Sequence, residues 1–160
     1  MEKTFYITTP IYYANSLPHL GHLYTTIVAD VIQRYKKQRG FDTYFLTGTD
    51  EHGINIQRAA GKNNRSPKAQ VDFVSDEMKK TFAEFGLNTE QGGYDIFMRT
   101  SEPFHYEGVQ HFWREIAKNK TPKGNETIYK GFYDAWFCAA CAEFKTEKEF
   151  ELRDGEEIPR

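Results

Sequence analysis

Residues 4–46 decide the fold, and their sequence is TFYITTPIYYANSLPHLGHLYTTIVADVIQRYKKQRGFDTYFL. The β-branched and aromatic run 4–8 predicts a first strand. Apolar residues then recur every fourth position from Leu20 and predict a helix that ends at Gly40. Residues 43–46 predict a second strand. Strand, helix and strand in this order predict a right-handed βαβ unit with parallel strands.

The pattern also assigns the two faces of this helix. Its buried face is expected to consist of Leu23, Ile27, Val31 and Tyr35, with Tyr24, Val28 and Ile32 beside them. Its outward face is expected to consist of Asp30, Gln33, Arg34, Lys36 and Lys37.

Further helix signals follow the second strand. Residues 53–60 predict a short helix closed by Gly61. Ser66 and Pro67 predict the cap and the first turn of a longer helix that ends at Gly86. The apolar stripe of this helix is expected to consist of Val71, Val74, Met78, Phe82 and Phe85.

The rest of the chain divides near residue 120. Residues 94–100 predict a third strand, and the apolar residues of 109–116 mark another helix. Beyond Lys118 the composition changes, so we expect one domain over residues 1–119 and the start of another over 120–160. The end, from Asp154 to Arg160, has the character of a hairpin turn cut in the middle and predicts that the chain is a fragment.

Composition limits the classes of function. With 160 residues, 39% of them hydrophobic, the chain is long enough to bury a core. Its net charge of −2 shows no basic surplus, so DNA is not an expected partner and any RNA contact is local. No apolar run is long enough to cross a bilayer and no signal peptide is visible, which predicts a cytoplasmic protein without a membrane partner.

The first chemical motif is His19-Leu20-Gly21-His22, where the loop after the first strand turns into the helix. The free N–H groups and the dipole of a helix N-terminus attract anions, and two imidazoles three residues apart project from the same turn. We therefore expect a triphosphate here. Two alternatives stay open. The histidines are either merely exposed polar residues, or they share a metal ion for which no third ligand lies nearby.

The second motif is the run Thr47-Gly48-Thr49-Asp50-Glu51-His52-Gly53, directly after the second strand. Ligands of open parallel sheets bind beyond the carboxyl ends of the strands, so both motifs are expected to line one pocket. There Asp50 has the charge to hold an ammonium or a ribose hydroxyl. The alternative is that Thr49 or Asp50 caps the next helix. No phosphate-binding loop of the Gly-x4-Gly-Lys-Ser/Thr type and no dinucleotide fingerprint is present in the sequence.

The third motif is Cys138-Ala139-Ala140-Cys141, which has the spacing of half a structural zinc site. The alternative is a pair of buried or free thiols. The aromatic residues around 129–137 predict the core of a small ribbon, with a base-stacking platform for RNA as the second interpretation.

These motifs, in this order and spacing, closely resemble the bacterial methionyl-tRNA synthetases, a family of class I aminoacyl-tRNA synthetases. The resemblance covers essentially the whole chain, through Phe97-Met98-Arg99-Thr100 to the cysteine pair. It implies an α/β, Rossmann-like parallel sheet of the HUP type with flanking helices, over 1–119. It also implies the start of an inserted, zinc-ribbon-like segment over 120–160.

The family's function implies roles for individual residues. Methionine is activated by ATP, with Mg²⁺, to methionyl-adenylate, and the methionyl group passes to tRNA(Met). The resemblance implies that His19 and His22 are catalytic, that His19, Gly21 and His22 bind ATP, and that Ile11, Tyr13 and Asp50 bind L-methionine. The region of the HIGH signature is implied to consist of Tyr13, Ala14, Asn15, Ser16, Leu17, Pro18, His19, Leu20, Gly21, His22 and Leu23. Cys138 and Cys141 are implied to be zinc ligands, with two more ligands after Arg160.

Two features of the family are missing from the sequence. It contains neither the second signature loop, Lys-Met-Ser-Lys-Ser, nor the anticodon-reading domain. The fragment alone is therefore not expected to complete adenylation. Two rival hypotheses remain: a small nucleotidyltransferase with a non-RNA substrate, and a non-catalytic paralogue that keeps only the fold.

Overall fold

A four-stranded parallel sheet organises the first part of the chain. The structure, a computed structural model, describes residues 3–138, 141, 143–146, 150–153 and 156–159, the last two ranges as backbone only. Strand β1 (Lys3–Thr8) leads through β2 (Tyr12–Tyr13) to helix α1 (Leu20–Gln38) and returns along β3 (Phe41–Asp50). β1 pairs with β3 in parallel, from Lys3 opposite Phe41 to Thr8 opposite Leu46. The predicted parallel βαβ unit is confirmed.

Three further helices and one strand complete this part. They are α2 (Ile54–Lys62), α3 (Pro67–Glu84), β4 (Ile96–Arg99) and α4 (Pro103–Lys118). β4 pairs in parallel with β3 over residues 46–49 of β3. All three predicted helices and the predicted third strand therefore exist, with ends that differ from the predicted ends by a few residues.

Helix α3 begins as its sequence predicts. The Ser66 hydroxyl accepts a hydrogen bond from the Ala69 N–H at 3.2 Å, and Pro67 occupies the first turn, where a missing N–H is harmless. Four of its five predicted stripe residues, from Val71 to Phe82, are buried. The prediction is wrong for Phe85, which is 55% exposed, because the helix has ended there and the chain turns at Gly86 with a φ of 71°.

The main core lies between the sheet and two helices. Phe45 of β3 is completely buried against Ala29 of α1 and against Met78 and Phe82 of α3. Because these residues belong to one cluster, α1 and α3 cover the same face of the sheet. On the opposite face, the rings of Tyr6 and Tyr44 stack on each other and remain largely exposed.

The predicted faces of α1 are only partly right. Leu23 and Ile27 pack against the core, as expected. However, Val31 and Tyr35 are more than half exposed, whereas Asp30 and Gln33, predicted to face outward, are buried. Each of these polar side chains has one partner, although Asp30 Oδ1 and Gln33 Oε1 are buried without a hydrogen bond among the described residues. The Gln33 amide donates to Asp95 at 3.2 Å, and Asp30 pairs with Arg34 at 2.7 Å.

Strand β3 is longer than predicted, and β2 was not foreseen. Residues 47–50, predicted as a loop, continue β3, and β2 pairs in parallel with its end, Tyr12 opposite Thr49 and Tyr13 opposite Asp50. Gly and Asp are rare in strands, which hid this extension. The close approach of β4 explains Gly48, because a Cβ at that position would lie 1.9 Å from the Met98 carbonyl oxygen.

The last part of the chain contains only small antiparallel pairs in the described residues. β5 (Trp136–Cys138) pairs with β6 (Glu143–Lys145), and β7 (Phe150–Arg153) pairs with β8 (Glu156–Pro159). The prediction of a turn over 154–160 is wrong for residues 156–159, which form strand β8, and residues 154–155 and 160 lie outside the described residues. Helix α4 has no buried residue. Among the described residues, no helix has the length and apolarity needed to span a membrane.

Candidate functional site

The first two motifs meet at the carboxyl end of the parallel sheet. β2 connects them, because Tyr13 lies opposite Asp50 while the Tyr12 ring lies 4.7 Å from the His22 ring. The Tyr12 hydroxyl also donates to the His22 carbonyl oxygen at 3.3 Å. The start of α1 and the end of β3 are therefore held together by one short strand, at the edge where parallel sheets bind ligands.

The two histidines form a cap on α1. His19 is the N-cap residue, and its Nδ1 accepts a hydrogen bond from the Gly21 N–H at 3.1 Å. The His22 Nδ1 accepts from the His19 N–H at 3.2 Å, and the two rings stack with centroids 3.7 Å apart. Because each Nδ1 accepts a hydrogen bond, the neutral form of each ring carries its proton on Nε2. Each ring therefore has one N–H donor that the cap does not use.

The geometry of this cap explains why residue 21 is glycine. A Cβ on this residue would lie 2.9 Å from Cε1 of the His19 ring. A side chain would therefore displace the imidazole that caps the helix. The expectation of free backbone N–H groups at this terminus is wrong for Gly21, His22 and Leu23, since His19 accepts from all three of their N–H groups. An anion that binds at the start of α1 is therefore expected to contact the imidazole N–H groups and not these three backbone N–H groups.

The charge of His22 is disfavoured. Partial burial lowers the pKa of this imidazole below its ordinary value, and the neighbouring His19 lowers it further. His22 is thus a neutral hydrogen-bond donor near pH 7. In the part of the chain that the structure describes, no group of three or more His, Cys, Asp or Glu residues is arranged to hold a metal ion. The histidine pair therefore has no third ligand from a described His, Cys, Asp or Glu residue.

Asp50 lies at the end of β3 and is partly buried. Its side chain shares a sheet face with Tyr13, because residues opposite each other in a parallel pair point to the same side. The proposed capping role for Thr49 or Asp50 is wrong, since Gly53 occupies the N-cap of α2 and no side chain caps that helix. A carboxylate and an exposed aromatic ring therefore share one face of the sheet.

The remaining residues of the HIGH region have different environments. Ala14 is completely buried, Ile11 and Asn15 are half-buried, and Leu23 packs on the core. Ser16, Leu17 and Leu20 are exposed. Asn15 lines a polar cavity together with Asn55 and Arg58 of α2. The structure brings Ile11, Tyr13 and Asp50 to the same end of the sheet as the histidine cap.

A buried ion pair beside Asp50 was not foreseen. The Glu51 side chain is fully buried and binds Arg99 of β4, with Arg99 Nε 2.6 Å from Glu51 Oε1. Both residues stand in segments that the sequence singled out, but neither was assigned a role. The sequence signal that could have indicated this pair is Arg99 at the carboxyl end of the predicted third strand, because a buried cation needs an acidic partner.

The two cysteines are not joined by a disulfide. The Cys141 N–H donates to Cys138 Sγ at 3.4 Å. A hydrogen bond between the two cysteine side chains, followed by burial, raises the pKa of the Cys141 thiol. The two cysteine side chains therefore lie within hydrogen-bonding distance of each other, as the ligands of one ion must. Ala139 and Ala140, between the two predicted zinc ligands, lie outside the described residues.

Comparison with known proteins gives consistent results. A sequence model of the family described as "tRNA synthetases class I (M)" matches residues 5–153. The methionine–tRNA ligase of Thermotoga maritima is 44% identical over 153 residues, which is 96% of this chain and 22% of that protein. The methionine–tRNA ligase of Caldanaerobacter subterraneus is 43% identical over 155 residues, again 22% of its length.

A solved structure shows the same fold. The Mycobacterium tuberculosis methionyl-tRNA synthetase in complex with methionyl-adenylate superposes with a TM-score of 0.82 at 33% identity. The match covers 98% of this chain and 29% of that one. The chain therefore spans less than a third of the length of each of these relatives.

Proposed function

The chain belongs to the class I (M) tRNA synthetase family, and from this premise we propose that the intact protein activates L-methionine with ATP and transfers the methionyl group to tRNA(Met) in the cytoplasm. The observation that supports this most is the junction made by β2. It ties two imidazole N–H donors at the start of α1 to a carboxylate at the end of β3. A substrate that carries an ammonium and reacts with a triphosphate matches this pair of groups.

The histidine pair acts on the phosphates in this proposal. The methionine carboxylate is ionised at neutral pH, so it attacks the α-phosphorus without a general base. A bond forms between a carboxylate oxygen and phosphorus, and the bond from phosphorus to pyrophosphate breaks. The Nε2–H groups of His19 and His22 donate to phosphate oxygens while negative charge grows on them. Mg²⁺ bound with ATP would supply further neutralisation of the phosphate charge.

Asp50 and the residues beside it hold the amino acid. The Asp50 carboxylate accepts hydrogen bonds from the methionine ammonium, and such charge-assisted bonds are stronger than neutral ones. Tyr13, on the same face, and Ile11 form part of the wall around the thioether, because sulfur packs well against aromatic edges. Residues 13–23 then form the family's first signature region.

The segment after residue 119 has a structural role in the proposal. We place a domain boundary near residue 120 and assign Cys138 and Cys141 as two of the four ligands of a structural zinc ion. The short distance between the Cys141 N–H and Cys138 Sγ, 3.4 Å, supports a turn that presents both sulfur atoms to one ion. Zinc held by these cysteines would stabilise the inserted ribbon.

The test is methionine-dependent exchange of pyrophosphate into ATP, measured with the intact gene product. We expect exchange with methionine and none with the other amino acids. Exchange that requires a different substrate indicates a nucleotidyltransferase of another class, and no exchange with any substrate indicates a paralogue that keeps the fold without turnover. Either result contradicts the proposal.

Asp50→Asn examines the ammonium contact directly. Loss of a charged hydrogen bond of about 1.5–3 kcal/mol lowers kcat/KM for methionine roughly 10- to 150-fold. The matched control is Asp42→Asn, because Asp42 is exposed near the opposite end of the same strand. Equal effects of the two substitutions would show that Asp50 has no particular part in methionine binding.

A further inference from the structure

The carboxylate of Glu51 is the centre of a buried polar network next to Asp50. Its side chain is fully buried and accepts hydrogen bonds from Arg99 Nε at 2.6 Å and Arg99 Nη2 at 3.1 Å. The Thr49 hydroxyl adds a third at 2.7 Å, and the Ser101 hydroxyl a fourth. A buried carboxylate is tolerated when it is paired and hydrogen-bonded, and this one has donors on both oxygens.

Arg99 connects this carboxylate to a third element. Its side chain is only 12% exposed, and its guanidinium also donates to Asp72 of α3 at 2.6 Å. Burial works against the charge of Arg99, but the hydrogen bonds to Glu51 and Asp72 outweigh it and raise the pKa of the guanidinium. Hydrogen bonds from Lys68 and then from Arg99 lower the pKa of Asp72. The end of β3, the end of β4 and the first half of α3 are therefore joined by one cation.

The peptide unit between Asp50 and Glu51 is fixed at both of its polar groups. Its carbonyl oxygen accepts from the Ala14 N–H at 3.1 Å, and its N–H donates to the Thr100 hydroxyl at 2.9 Å. Thr49 and Glu51 point into the interior, where their side chains contact each other. In an extended chain the residue between them must point to the opposite face. The contacts of the Glu51 side chain therefore act together with these two hydrogen bonds to set the direction of Asp50.

We propose that Arg99 is a positioning residue for amino acid recognition, which acts through Glu51 to aim the Asp50 carboxylate at the substrate ammonium. This inference rests on the proposed function and extends it to residues that do not touch the substrate. The Arg99 guanidinium makes a bidentate interaction with both Glu51 oxygens, and a lysine ammonium cannot form this interaction. Arg99→Lys therefore keeps the positive charge and removes the bidentate contact with Glu51.

Steady-state exchange kinetics of the intact gene product test the proposal. We expect Arg99→Lys and Glu51→Gln to lower kcat/KM for methionine at least about tenfold, within the roughly 100-fold that a 1 Å misplacement can cost. KM for ATP should change less than about twofold, because the histidine cap lies on a different element. Arg34→Lys is the matched control, since Arg34 belongs to an ion pair with Asp30 on α1. It should leave both kinetic parameters unchanged.

Two inhibitors separate positioning from general loosening of the site. L-Methioninol retains the ammonium and lacks the carboxylate, whereas 4-(methylthio)butanoate retains the carboxylate and lacks the ammonium. Arg99→Lys should weaken inhibition by methioninol by the same factor as kcat/KM for methionine and leave the butanoate unchanged. When Asp50→Asn is already present, adding Arg99→Lys should not lower kcat/KM for methionine further. Equal weakening of both inhibitors, or full additivity with Asp50→Asn, would overturn the proposal.

The controls distinguish this proposal from the function on which it rests. If the unmodified protein shows no methionine-dependent exchange, the proposed function fails and the role of Arg99 fails with it. If that protein is active and the Arg99 and Glu51 variants keep its methionine kinetics, only the positioning role fails. Should Arg99→Lys not fold, Ser101→Ala removes one donor to Glu51 and leaves the ion pair intact. Ser101→Ala should then weaken inhibition by methioninol and leave inhibition by 4-(methylthio)butanoate unchanged, and equal weakening of both would overturn the proposal.

Discussion

Gly48→Ala is the most demanding test of how β3 and β4 meet. Gly48 lies opposite Met98, and a Cβ on this residue would be 1.9 Å from the Met98 carbonyl oxygen, where real Cβ atoms essentially never come closer than 3.0 Å. The obstacle is backbone and not the end of a flexible side chain. Either β4 moves away by roughly an ångström or the parallel pairing over residues 46–49 is lost.

The expected cost is large compared with the stability of a domain. Overpacking usually costs about 1–3 kcal/mol, and we expect the upper end or more because the clash involves two strands. A domain has only about 5–15 kcal/mol in total. With a urea dependence of about 2 kcal/mol per molar, a loss of 3 kcal/mol lowers the midpoint of unfolding by about 1.5 M. Urea unfolding of the 160-residue chain, followed by circular dichroism, measures this shift.

Gly61→Ala is the matched control for this prediction. Gly61 lies in α2 with no atom within 4 Å of the added Cβ, so the same methyl group meets open space. Its free energy of unfolding should stay the same or rise by up to about 1 kcal/mol, since alanine favours helix. If Gly48→Ala unfolds at the same urea concentration as the unmodified chain, the close approach of β4 to Gly48 is refuted.

Two further predictions concern acid and the core. His22 has a folded-state pKa below its unfolded value near 6.5, so the unfolded chain binds more protons as the pH falls below 6.5 and stability decreases from there down to the folded pKa. His22→Gln should therefore reduce the loss of unfolding free energy between pH 7 and pH 5, and an unchanged loss would contradict the burial of this ring. Met78→Ala removes a completely buried side chain and should cost about 2–5 kcal/mol, whereas Phe85→Ala, at a residue 55% exposed, should cost less than about 1 kcal/mol in the same urea experiment. Similar costs for the two variants would show that the core is not where the structure puts it.

Sequence patterns predicted the elements of the fold well where local signals agreed. The cap at Ser66, the proline at residue 67 and the apolar stripe of α3 all point to the same helix, and the helix is present. The parallel β1 and β3 pair also follows from local patterns and from the handedness rule for such units. These signals are local, and no tertiary contact contradicts them.

The faces of α1 could not be predicted from hydropathy alone. Gln33 is buried because Asp95, from the segment before β4, supplies its partner, and this contact spans 62 residues of sequence. A polar residue with a distant partner has the same local pattern as a polar residue in solvent. The apolar residues Val31 and Tyr35 were consequently assigned to the wrong side of the helix.

The candidate site was predicted in its parts but not in its connections. The sequence placed His19, His22 and Asp50 at one edge of the sheet, because loops after parallel strands leave at the same end. Strand β2, which ties the two motifs together, is only two residues long and carries no strand pattern of its own. The pair formed by Glu51 and Arg99 spans 48 residues, so nothing in the spacing indicated it.

The most direct measurement is a crystal structure of the intact gene product with a non-hydrolysable analogue of methionyl-adenylate. We expect the ammonium of the analogue to lie within about 3.2 Å of the Asp50 carboxylate, with the group that replaces the phosphate facing Nε2 of His19 or His22. An analogue bound elsewhere, for example beside the exposed rings of Tyr133 and Trp136, would contradict the assignment of this edge of the sheet as the site of adenylation.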